Sequence, residues 1–70
     1  MSQIIAPVIG FIAKINVNVG DQIKKDQIVA MVQCMKTEIP VLADVDGVVS
    51  EITIPEGDEV NLGDVILVVS

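Results

Sequence analysis

Apolar and polar residues alternate along two segments of the chain, a pattern typical of half-buried β-strands. Lys14 to Val19 reads Lys-Ile-Asn-Val-Asn-Val, and Glu51 to Ile54 reads Glu-Ile-Thr-Ile. Successive side chains of a strand point to opposite faces, so this alternation predicts one buried face and one solvent-exposed face. No segment combines a helical period with capping residues. The predicted strands are 3–6, 10–17, 28–33, 38–43, 47–54 and 65–69, with short strands at 22–23 and 59–60.

A repeat relates the two halves of the chain. Shifted by 37 positions, residues 6–32 align with residues 43–69. The identical pairs are Ala6/Ala43, Val8/Val45, Gly10/Gly47, Ile15/Ile52, Gly20/Gly57, Asp21/Asp58 and Val32/Val69. Gly20 and Gly57 each follow a strand pattern, at a place where a turn needs the positive φ that glycine tolerates. The repeat predicts an all-β domain with pseudo-twofold symmetry, and short strands with glycine turns favour a sandwich or flattened barrel.

Composition and charge narrow the possible functions. Seventy residues form one domain, 1–70, and Val and Ile dominate its apolar content. A net charge of −6 repels phosphate backbones, which argues against nucleic acid as a partner. Apolar runs such as 28–32 are too short to cross a bilayer, so direct membrane insertion is not expected. The single Cys34 fits a reducing compartment, and we predict a cytoplasmic protein.

The segment that joins the two halves places a lysine at the tip of a predicted hairpin. The loop from Cys34 to Thr37 connects the last strand of the first half to the first strand of the second. A lone lysine at such a tip is usually a solvated charge that discourages edge pairing. Met35, directly before Lys36, exposes apolar surface with no gain in solubility. The pair therefore indicates that another molecule recognises this tip.

With these residues in place, the chain resembles the biotin/lipoyl attachment domains, and is most similar to their small stand-alone, biotin carboxyl carrier-like members. The resemblance covers nearly the whole chain. It is carried by Ala6-Pro7, Gly10, Val19-Gly20-Asp21, Met35-Lys36, Glu38-Ile39-Pro40, Ala43-Asp44, Gly47-Val48-Val49, Glu56-Gly57-Asp58 and Gly63-Asp64. It implies a barrel-sandwich hybrid, in which two small antiparallel sheets form a flattened barrel with Lys36 on a protruding hairpin.

The resemblance also implies a function. Lys36 would carry biotin through an amide on its side-chain nitrogen, with Met35 and Thr37 flanking it for recognition by a biotin protein ligase. The biotinyl domain would shuttle a carboxyl group between a biotin carboxylase and a carboxyltransferase or decarboxylase, without being an enzyme itself. The family's biotin hallmark is Ala-Met-Lys-Met, whereas lipoyl domains usually have Asp-Lys-Ala. Here Met35 keeps the biotin pattern, while Cys34 and Thr37 depart from it and Gln33 replaces a frequent Glu.

Two other functions remain open at this stage. Lys36 could bear lipoate in place of biotin, or the domain could be an unmodified adaptor with the same fold. An independent enzyme comes last, because the chain has no histidine and no evident nucleophile–base pair. Cys34 is predicted to be a small, half-buried residue at a strand end. Asp44 and Asp46 are predicted to be solvated turn acids, because two carboxylates are too few to hold calcium, and no metal site is expected.

Overall fold

The computed structural model describes residues 2–70, and all of its regular structure is β-strand. The eight strands are β1 (Ser2–Ile5), β2 (Gly10–Ile15), β3 (Gln22–Ile23), β4 (Ile28–Cys34), β5 (Thr37–Leu42), β6 (Gly47–Ile52), β7 (Glu59–Val60) and β8 (Val65–Val69). They form two four-stranded antiparallel sheets with the orders β1-β8-β6-β3 and β5-β4-β2-β7. The prediction of an all-β fold with two small antiparallel sheets is confirmed.

The two sheets are related strand by strand through the 37-residue repeat. Moving each strand of the first sheet to its repeat partner converts the order β1-β8-β6-β3 into β5-β4-β2-β7. The registers agree as well, since Ile4 lies opposite Leu67 and Val41 lies opposite Ala30. Both pairs of strands also shift register at matching positions. The pseudo-twofold symmetry predicted from the sequence is therefore present in the backbone.

A single aliphatic core lies between the sheets. Its buried members are Ile4, Ala6, Ile12, Val17, Ile23, Val29, Ala30, Val32, Val41, Ala43, Val49, Val60, Ile66, Leu67 and Val69. Most of these residues are repeat partners of one another, so the two halves contribute matching side chains. No polar side chain is buried within the described range 2–70. Burial of aliphatic surface is the main stabilising contribution in so small a domain.

The strand ends differ in places from the sequence-based prediction. Strand β2 ends at Ile15 and β6 at Ile52, two residues earlier than predicted. Val17 nevertheless stays 4% exposed, because the chain keeps its apolar side inward after it leaves the regular ladder. The alternation of apolar and polar residues indicates which side chains are buried, and not where the strand hydrogen bonds end, so the lengths of these two strands were overestimated. The first strand covers residues 2–5 rather than 3–6.

The turns at Gly20 and Gly57 test the repeat directly. Their φ angles are 95° and 90°, and the N–H of each donates to a carbonyl in the other half of the chain: Gly20 to Val49 and Gly57 to Ile12. The prediction of matching turns with positive φ is confirmed. Valine at either position should lower the free energy of unfolding by about 1 kcal/mol or more, because β-branched side chains are strained at positive φ. Urea denaturation of the two variants should give similar losses, and clearly unequal losses would contradict the equivalence of the turns.

Candidate functional site

The hairpin between β4 and β5 ends in a turn of only two residues. Cys34 lies opposite Thr37, and Met35 and Lys36 form the turn between them. The predicted four-residue loop was therefore too long, because the strand ladder continues through Cys34 and Thr37. Met35 has a φ of 57°, which Lys36 does not share. A positive φ at the first turn position alone is typical of a type II′ turn, where glycine is the usual residue.

Met35 is held in an unfavourable conformation and exposed to water. Its side chain is 92% exposed, more than any other large apolar side chain described. A left-handed backbone at a residue other than glycine costs about 1–2 kcal/mol. Such strain is tolerated mainly at functional positions. Neither the strain nor the exposure stabilises the domain, so both point to recognition of Met35 by another molecule.

Lys36 projects into solvent directly beside Met35. It is the second residue of the turn, and the antiparallel pair β4–β5 supports it on both sides. Lysine amines are protonated in neutral water and are then poor nucleophiles. The chain contains no histidine that could remove this proton. The arrangement presents a primary amine to an external catalyst.

The side chain of Gln33, in β4, stabilises the turn. Its side-chain Nε2 donates a hydrogen bond of 2.9 Å to the backbone carbonyl of Met35. This bond fixes the peptide between Met35 and Lys36 relative to β4. This role was not predicted, because Gln33 stood out in the sequence only as a departure from the family pattern. An amide-bearing side chain two residues before a tight turn is the signal that could have indicated it.

The other residues of interest lie beside the tip or far from it. Thr37 is exposed at the start of β5, and Cys34 is a half-buried free cysteine at the end of β4. Asp46 accepts a 2.7 Å hydrogen bond from the Lys25 backbone N–H, so it caps a turn. Across residues 2–70, no three His, Cys, Asp or Glu side chains lie close enough together to hold a metal ion. None of these residues lies in a helix long and apolar enough to cross a membrane.

A shallow open groove of about 450 Å³ lies between the ends of β2 and β6. Its apolar walls include Ile15 and Ile52, which are repeat partners, so the groove lies near the pseudo-twofold axis. Glu56 lines it and accepts a hydrogen bond of 2.8 Å from the Ile15 backbone N–H. None of the residues that line this groove belongs to the hairpin tip. Among the described residues 2–70, only the tip combines an exposed amine with an exposed apolar neighbour at positive φ, since Asp26, the other such residue besides glycine, is polar.

Comparison with known proteins shows the family of the chain. The family model described as "Biotin-requiring enzyme" matches residues 2–69. The chain is 51% identical over 61 residues to a biotin/lipoyl attachment protein of Bacillus subtilis, covering 87% of this chain and 84% of that protein. It is 40% identical over 65 residues to the biotinylated protein TB7.3 homolog of Mycobacterium leprae, covering 93% and 92% of the two chains. The solved structure of Kluyveromyces lactis urea carboxylase matches 99% of the chain with a TM-score of 0.90 and 30% identity, although the match spans only 6% of that protein.

Proposed function

Because the chain belongs to the family of biotin/lipoyl attachment domains, we propose that Lys36 carries covalently attached biotin and that residues 1–70 act as a biotin carboxyl carrier domain. The observation that carries this proposal is the two-residue tip, which places an exposed lysine beside a strained, exposed methionine. Met35 and Thr37 then serve as the flanking residues that a biotin protein ligase contacts. The family assignment supports a biotin-type cofactor, and the exposed tip supports Lys36 as the residue that holds it.

The division of labour follows from the chemistry of the tip. The carrier supplies exposure and a rigid base, and the ligase supplies the base that frees the Lys36 amine. Once attached, the cofactor provides the carboxyl-carrying chemistry. The tether to Lys36 raises the effective concentration of the cofactor at each active site that the cofactor visits. We propose that these sites belong to a biotin carboxylase and to a carboxyltransferase or decarboxylase, with the compartment being the cytoplasm.

Lipoate on Lys36 is the second candidate cofactor. Thr37 leaves lipoate as an alternative cofactor, because the biotin hallmark has methionine at this position. Intact mass spectrometry after incubation with ATP and either a biotin protein ligase plus biotin or a lipoate ligase plus lipoate separates the candidates. We expect one biotin per chain. Efficient lipoylation with no biotinylation would replace biotin by lipoate, and no labelling by either ligase would favour an unmodified adaptor.

Substitutions on either side of Lys36 should change the rate of biotinylation in opposite directions. Thr37→Met adds an apolar contact that is only partly buried in the ligase complex, worth less than about 1 kcal/mol, so labelling should be about two- to fivefold faster. Met35→Asp removes the apolar side chain and adds a charge, so labelling should slow by about tenfold or more. Initial rates read by intact mass would measure both effects. Faster labelling of Met35→Asp than of the wild type would contradict the proposed role of Met35.

A further inference from the structure

Four side chains form a row across the outer face of the sheet that carries the tip. Gln33 on β4 lies opposite Glu38 on β5 and opposite Phe11 on β2, and Phe11 in turn lies opposite Glu59 on β7. Each has a buried or half-buried neighbour in its strand (Val32, Ile12, Ile39 or Val60), so the alternation of side chains places these four on the outer face. We call Glu38, Gln33, Phe11 and Glu59 the tip row.

The tip row has an apolar centre between two acids. Phe11 is the one aromatic residue of the chain, and its side chain is 44% exposed. Glu38 and Glu59 are exposed at the two ends of the row. The repeat partners of Gln33, Phe11 and Glu59 are Ser70, Val48 and Gln22, which carry no side-chain charge. The same fold position is therefore acidic and aromatic beside the tip, but neutral and aliphatic in the other sheet.

Close packing of β2 against β4 and one side-chain hydrogen bond connect the tip row to the turn above it. Gly10 lacks a side chain, and a Cβ there would overlap the backbone carbonyl of Gln33. Strand β2 therefore approaches β4 closely at this point and brings Phe11 beside the strand that ends in the turn. The Gln33 side chain, as described above, bonds to the Met35 carbonyl. The row and the turn thus form one continuous surface.

We propose that the tip row is a docking surface for the enzyme that acylates Lys36, which engages it through an apolar depression for Phe11 and basic side chains for Glu38 and Glu59. This inference rests on the proposed function. An enzyme that acylates the lysine must bring its active site within the length of one lysine side chain, and so it covers the residues beneath the turn. Enzymes that later use the cofactor meet it at the end of a longer arm. Half-exposed aromatic residues ringed by charge are common anchors of protein interfaces, and acidic rims attract basic partners.

Steady-state kinetics with a purified bacterial biotin protein ligase, biotin and ATP test this surface. Phe11→Ser should raise the KM for the domain by about tenfold or more with kcat unchanged, because Phe11 is far from the amine that reacts. Val48→Ser is the matched control, since Val48 is the repeat partner of Phe11 and is 41% exposed. It should change KM by less than about twofold. Circular dichroism and urea denaturation of both variants would verify that each remains folded.

The two acids at the ends of the tip row, Glu38 and Glu59, are tested separately. The double variant Glu38→Gln, Glu59→Gln should raise KM several-fold at low ionic strength and should weaken the dependence of KM on salt. Glu51→Gln, which removes one charge at an exposed position in the other sheet, should leave KM and its salt dependence unchanged. Equal KM values for folded Phe11→Ser and Val48→Ser would overturn the docking surface while leaving biotin attachment intact. Failure of the wild-type domain to be labelled would overturn both proposals.

Discussion

Arginine at position 36 should abolish biotin attachment while the domain remains folded. The substitution keeps a positive charge, but the guanidinium group stays protonated and does not act as an acyl acceptor. Lys36 is exposed in a turn and takes no part in the core. We therefore expect the free energy of unfolding to change by less than about 0.5 kcal/mol. Intact mass after ligase treatment would show loss of the biotin adduct.

The remaining lysines serve as internal controls for this experiment. Lys14 lies within β2, opposite Met31. The backbone N–H groups of Lys24 and Lys25 are bound in a turn, to Gln27 and Asp46 respectively. Lys25 also lies in a two-residue turn, but that turn is bonded to segment 43–46, through Asp46 and through the Ala43 carbonyl, which accepts from the Asp26 N–H. Lys25→Arg should be labelled at the wild-type rate, and full labelling of Lys36→Arg would show that the attachment site had been assigned to the wrong residue.

Alanine at Gly10 should destabilise the domain strongly. A Cβ at this position would overlap the Gln33 backbone carbonyl and lie 3.2 Å from Cγ1 of the buried Val32. Backbone cannot move aside as a flexible side chain can, so β2 and β4 must separate. We expect a loss of about 3 kcal/mol. A domain of this size has a total stability of about 4–10 kcal/mol, so the loss is a large fraction of it.

Gly20→Ala is the matched control for Gly10→Ala. A Cβ at Gly20 would meet no atom within 4 Å, so only the φ of 95° opposes the substitution. Its expected cost is about 1 kcal/mol. Urea denaturation should therefore give a clearly lower midpoint for Gly10→Ala than for Gly20→Ala, with similar m-values. A midpoint for Gly10→Ala equal to that of the wild type would show that the two strands are not held together so closely.

Much of the architecture could be predicted because the same sequence pattern occurs in both halves of the chain. The repeat from 6–32 to 43–69 fixed the equivalence of the two glycine turns and, with it, the pseudo-twofold symmetry. The structure extends the repeat backward to Ser2 and Ile39, which the sequence did not indicate. Ser2 and Gln3 correspond to Ile39 and Pro40 in β1 and β5. Both strands lie at sheet edges, where a proline is tolerated and one neighbouring strand is missing, so their outward residues can differ freely.

The geometry of the hairpin tip was only partly predictable. The resemblance predicted Lys36 and Met35 as site residues, but the conformation of the turn depends on the pairing of Cys34 with Thr37 across the hairpin. Nothing in the apolar pattern marks that pair, because the hairpin extends beyond the core at this point and neither residue is fully buried. The tip row was missed for a different reason. Its four residues come from four strands, and only the strand order brings Phe11 and Glu59 next to Gln33.

Each sheet contains strands from both halves of the chain, and this arrangement determines how the domain unfolds. Strands β1 and β3 of the first half complete the sheet that contains β6 and β8, and β5 and β7 of the second half complete the other. Neither half therefore contains a whole sheet, and neither can bury its apolar face alone. Such interlocked halves unfold as one cooperative unit, so the calorimetric and van't Hoff enthalpies should agree. Under the proposed function, such a carrier would stay fully folded, or not folded at all, as it passes from one enzyme to the next.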